Sequence, residues 1–204
     1  MRSRKPWLAT LYLASYLPFG TLMFGFVLAV LVVCYAMNIT WLGLPMLIGA
    51  STIVRGCAHL ERHRTRLVTT RIEPDYRPAT SSGVFAQVRT RWRDLATWRD
   101  CAYLFLLFPP LLALDLITLT IWLSLLAGVT LPLWFWSVPG IWVPNLLVAL
   151  LVALGSAVLV PFAARVVVAV AALHATVARS LLGPRVDPLA DVKRMLAEPG
   201  PLAA

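Results

Sequence analysis

Asp115 lies in the apolar stretch LLALDLITLTIW, and no other charge follows it until Arg165. An ionised, unpaired carboxylate in hydrocarbon is costly. Asp115 is therefore expected to face the inside of a helix assembly, to bond a neighbour such as Thr118, or to carry a proton. No basic residue reads at the same depth, so structural hydrogen bonding outweighs a proton or cation relay. His59 and His63, in HLERH, share a helix face as metal ligands sometimes do. The zinc-protease motif needs Glu directly after the first His, and Leu60 stands there. Without a third ligand the pair reads as a solvated basic face. His174, in ALHAT, lacks the surroundings of a phosphoacceptor, and the chain has no P-loop, nucleophile elbow or G-x-G-x-x-G. No catalytic residue, metal site or cofactor is expected, and the chain does not read as an enzyme.

The elements that must hold these residues follow from composition. Of 204 residues, 60% are hydrophobic and 13% charged, and the mean hydropathy is +0.80, values foreign to a soluble domain. Residues 6 to 54 and 116 to 164 contain no charge. A crossing needs about 20 apolar residues, so each run predicts two spans. The four spans fall at about 17–36, 41–57, 103–126 and 146–164, the last continuing as helix toward Leu182. The expected fold is all-α: an integral membrane four-helix bundle made from two tandem transmembrane hairpins, with cytoplasmic amphipathic helices. Pro161, inside the fourth span, predicts a kink.

Arg2, Arg4 and Lys5 precede the first span, ten of the eighteen basic residues fall between Arg55 and Asp100, and the rest begin at Arg165. The positive-inside rule then places both termini and the central segment in the cytoplasm of a multi-pass cell-membrane protein. The net charge of +9 is spread along membrane-flanking segments, so nucleic acid is not an expected partner. The three cysteines suggest no disulfide framework.

Trp7, Tyr12 and Pro18 reappear 91 positions on as Trp98, Tyr103 and Pro109, and Leu44-Pro45 recurs as Leu131-Pro132. Several matches in one order point to a duplication. The chain reads as one domain: a first hairpin repeat over 1–74, a linker and amphipathic helix over 75–97, a second repeat over 98–188 and a cytoplasmic tail over 189–204. Within it, PDYRPATSSG (74–83) has linker composition. In GVFAQVRTRWRDLATWRD, Val84, Val88, Trp92 and Leu95 recur at helical spacing among arginines, which suits a helix in the headgroup layer of membrane lipids. Trp98 is the interfacial anchor that follows, with Arg99 and Asp100 expected in water. On the outer side, WFWSVPGIWVPN brings Trp134, Trp136 and Trp142 together, as an aromatic belt or as contact for a hydrophobic stimulus. Ala149, Ala153 and Ala157 form a small-residue stripe, read first as closing the bundle and second as a homodimer seam.

The stretches TWRDCAYLFLLFPP, LPLWFW, RIEPDYRP and ALHATVARSLLGP resemble, over residues 7–184, the sensor domain of actinobacterial membrane proteins. The resemblance implies a domain that stands before a histidine kinase in a two-component system. Here VDPLADVKRMLAEPGPLAA ends without a kinase segment, so the expected output comes from a separate histidine kinase or other signalling protein. Asp115 departs from the apolar pattern of the family, which supplies no catalytic residue. The expected function is a sensor or signal-input module that works mechanically: a stimulus at the tryptophan loop shifts the fourth span. The alternative is a small transporter or channel subunit using Asp115.

Overall fold

The computed structural model describes residues 4–37, 43–74, 76, 83–137 and 145–184. Trp142, the 185–204 tail and residues 77–82 lie outside these. The described residues are helical, without strands: α1 (Lys5–Met37), α2 (Gly43–Arg64), α3 (Val84–Arg93), α4 (Leu95–Cys101), α5 (Phe108–Thr130) and α6 (Leu146–Leu182). Short 3-10 turns follow α2 and α5, and a π-helical turn, Ala102–Leu106, joins α4 to α5.

Local sequence explains where the helices break. The amphipathic segment read as one helix is two. Asp94 adopts an extended conformation and its side chain accepts from Ala96 N, capping α4; aspartate competes with the helix for its own backbone in this way. The third span likewise does not run straight from Tyr103. Leu107 N donates to Ala102 O five residues back, and Pro109 and Pro110, which have no N–H to donate, occupy the first turn of α5. At Pro161 α6 continues unbroken.

The helices Lys5–Met37, Phe108–Leu133 and Leu146–Leu182 are long and apolar enough to cross a membrane. α2, which contains the second expected span, is not among these three. Its uncharged part, 43–54, would extend only about 18 Å at helical rise, against a hydrocarbon core of about 30 Å. α1 packs against α2, α5 and α6, and α5 against α6.

Helix direction is set by a ladder of contacts. Trp7 meets Trp122 with ring centroids 6.3 Å apart, Tyr16 meets Phe108 at 5.8 Å, and Phe24 stacks on Phe108 at 4.8 Å. Positions rising along α1 meet positions falling along α5, so this part of α1 is antiparallel to α5. Ala9, Tyr12 and Leu13 share a buried cluster with Val160 to Ala171 of α6, while Tyr16, Met23 and Val27 share another with Ala178 and Leu182; α1 thus runs parallel to α6. Two hairpins entering the membrane from one side would have α1 parallel to α5. The contacts run the other way, because aromatic packing along the first half of α1, rather than a common point of insertion, joins the hairpins.

Candidate functional site

Where the hairpins overlap, side chains from α1, α2, α4, α5 and α6 build a polar waist inside an apolar shell. α2 supplies most of it. Along HLERHR the exposed residues His59, Leu60 and His63 face outward, as the basic-face reading expects of the two histidines. The opposite face carries Glu61 and Arg62, which are buried.

Each inward arginine of α2 meets a carboxylate. Arg55 Nη2 lies 2.9 Å from Asp94 and also donates to Thr97. Arg62 Nη2 lies 3.0 Å from Asp100, and its Nε donates to the Leu182 carbonyl at the end of α6, 2.9 Å away. Arg64 pairs with Glu61 at 2.6 Å, donates to the Tyr12 carbonyl of α1 and lies over the Tyr12 and Tyr16 rings at 4.4 and 4.7 Å. Tyr103 donates to Glu61 at 2.8 Å. Buried charges persist where such partners surround them.

Asp100 is a correction to the sequence reading. It is 0% exposed, held by Arg62 and by the Tyr76 hydroxyl, which donates at 2.5 Å. Burial pushes its carboxyl up to about 6, against the opposing pull of the Tyr76 hydroxyl, Arg62 and Arg55. Tyr76 is correspondingly not loose linker: Arg62 Nη1 donates to it and Arg55 lies over its ring at 4.2 Å. Arg99 also does more than sit in water, donating to the carbonyls of Ser180 and Gly183 at the end of α6. Trp98, its neighbour, remains exposed and donates to Trp92 O.

Asp115 has a partner that sequence depth did not find. His174 Nε2 stands 2.9 Å from its Oδ1, both side chains fully buried. α5 and α6 form an antiparallel hairpin, so residues far apart in sequence meet across it. The edges of the Tyr12 and Tyr16 rings abut the imidazole, with centroids 6.2 and 5.2 Å away. The contact lies off the hydrogen-bond line: both oxygens of Asp115, both ring nitrogens of His174 and the Tyr12 hydroxyl are buried without a hydrogen bond. Thr118, the neighbour expected to bond Asp115, is buried on the same helix but makes no hydrogen bond to it. The result is a continuous train of side chains, Asp115–His174–Tyr12/Tyr16–Arg64–Glu61–Tyr103, linking α5 and α6 to α1 and α2.

The remaining candidates lie apart from this waist. Trp134 donates to Thr130, and Trp136 is exposed against Phe135. In the alanine stripe only Ala149 is buried; Ala157 is exposed. Sequence reasoning missed Arg55, Glu61, Arg62, Arg64 and Tyr76 as site residues. One sequence signal touched this site: the repeat pairs Tyr12 with Tyr103, and both prove to be buried, beside Arg64 and Glu61.

A family model described as "Putative sensor" matches residues 12–182. No curated protein and no solved structure matches the chain.

Proposed function

From the premise that this chain belongs to the sensor family, with helices able to cross a membrane, we propose that it is a signal-input module whose output is the cytoplasmic end of α6. One observation carries this reading: α6 is a single 37-residue helix gripped at two depths. His174 meets Asp115 within the bundle, and Arg62 and Arg99 hold the carbonyls of Leu182, Ser180 and Gly183 at its last turn. A stimulus reaching the membrane or the Trp134–Asn145 segment would shift α6 against α5. The train of buried polar groups would pass that shift to the arginines at its end. Such a device is bistable, because buried pairs are either made or broken.

In this reading the end of α6 and the arginines that hold it face the cytoplasm and the turn carrying Trp134 and Trp136 faces outward, as the basic residues from Arg165 on favour. Because α1 is antiparallel to α5, its start at Lys5 then points toward the outer side, against the expectation for the N-terminus. The chain performs no chemistry of its own. The partner is a separate signalling protein, and the resemblance favours a histidine kinase of a two-component system in an actinobacterium. Membrane lipids are the immediate surroundings. A second reading, a small transporter or channel subunit, draws on the buried Asp115–His174 pair.

The test is co-purification of the tagged chain in mild detergent from its native host. A histidine kinase or response regulator should come with it and be lost from the Arg62→Gln/Arg99→Gln variant. Absence of any signalling protein, together with proton flux in proteoliposomes that Asp115→Asn abolishes, would replace the sensor by the transporter.

A further inference from the structure

Among the described arginines some are paired with carboxylates and others are not. Those directed inward from α2 each have a carboxylate within 3.0 Å. Arg71, Arg99 and Arg179 have none within ion-pair distance among the described residues, and these three line one open groove. They arrive from separate elements: Arg71 from the segment after α2, Arg99 from α4 and Arg179 from the last turn of α6. Arg179 is braced by the hydroxyls of Thr69 and Thr70, and Arg99 directs one nitrogen to α6 carbonyls. An arginine presents five donors, so each retains donors for a ligand. Among the described residues Glu73 is the sole acidic one on the groove wall, which also includes apolar Leu95 and Leu181.

Position in the fold narrows the ligand. On α6 the exposed apolar series Leu154, Val158, Phe162, Val166 and Leu173, interrupted by the exposed Arg165, whose guanidinium lies over the Phe162 ring, ends before Arg179. Across the groove, Leu95 and Trp98 of α4 are exposed. That change from apolar to cationic surface marks the depth of lipid headgroups on a membrane helix. A phosphate is the anion whose geometry suits several guanidinium forks at once. Acyl chains attached to it would continue along the apolar surface beside Leu173.

We propose that the groove between α4, α6 and the segment after α2 binds the phosphate headgroup of an anionic phospholipid through Arg71, Arg99 and Arg179. This site is independent of the tryptophan turn, and it seats the lipid against the end of α6. It rests on the membrane reading but not on the identity of any signalling partner.

Native mass spectrometry of the full chain in detergent, titrated with phosphatidylglycerol or phosphatidylcholine, tests it. Phosphatidylglycerol should bind about tenfold more tightly or better, in line with the contribution of basic side chains at an anionic surface. Arg71→Gln/Arg179→Gln should abolish that preference, and Arg71→Lys/Arg179→Lys, which keeps the charge but loses the fork, should retain only part of it. Arg89→Gln/Arg93→Gln, which removes equal charge from the exposed side of α3, should leave it intact. Equal affinity for both lipids, or equal loss from the α3 variant, would overturn the proposal. So would displacement of phosphatidylglycerol by millimolar inorganic phosphate, which would make the groove a free-anion site.

Discussion

At the scale of single residues the waist shows how burial changes the meaning of a charge. Asp100 reads in sequence as part of a wet WRD tripeptide, yet it is sealed under Arg62 and Tyr76. Its carboxyl is pushed up to about 6 from an ordinary 3.8. The folded protein therefore binds that proton more readily than the unfolded chain. Stability from this group is gained as pH falls from about 7 through 6 toward 4, and lost as pH rises back through that window. Asp100→Asn should flatten this part of the pH profile, measured as unfolding temperature in detergent between pH 4 and 7. A variant with the unaltered profile would mean that the carboxylate is hydrated. Nothing in the local sequence distinguishes Asp100 from a surface aspartate; what buries it comes from residues 38 and 24 positions away, Arg62 and Tyr76.

At the scale of elements, the hairpin of α5 and α6 depends on close approach at its far end. A Cβ placed on Gly128 would run into the Ser156 side chain, so glycine there lets the two helices touch, as small residues do in membrane interfaces. Gly128→Val should destabilise the protein by about 1–3 kcal/mol, and Ser156→Gly in the same chain should restore much of the loss in thermal unfolding. No rescue would place the strain elsewhere. Helix positions were largely legible in sequence: the long apolar runs, the prolines in the first turn of α5 and the Asn145 that caps α6 by accepting from Val148 N are local signals. The breaks at Asp94 and Leu107 were not, since helical periodicity runs through both and only cap geometry and a five-residue hydrogen bond mark them.

At the scale of the whole molecule, the relation between the hairpins is the chief finding. Antiparallel packing of α1 on α5 brings Trp7 to Trp122. With Cys34, Cys57 and Cys101 replaced, Trp7→Cys/Trp122→Cys should form a disulfide on mild oxidation, whereas Trp7→Cys/Phe108→Cys should not. The reverse result would make α1 parallel to α5. This direction also decides which groups meet in the waist. Tyr12 and Tyr16 reach His174 only because α1 descends alongside α6, and Arg64 reaches Tyr12 only because α2 returns along α1.

The sequence by itself determined the helical class, the affinity for membrane and the course of three long apolar helices, although it began the first span at 17 where α1 starts at Lys5 and counted as a span α2, which is not among the helices long and apolar enough to cross. Those properties depend on hydrophobicity and chain length over adjacent positions, which a linear reading measures directly. It also singled out Asp115, because one carboxylate in an uncharged stretch is conspicuous without any fold. Tertiary structure alone decided that Asp115 meets His174, that Asp100 and Glu61 are interior, and that the end of α6 is held by arginines from two other helices. Pairings of that kind depend on helix direction and register, which arise from side chains meeting across space and leave no periodic trace in the chain.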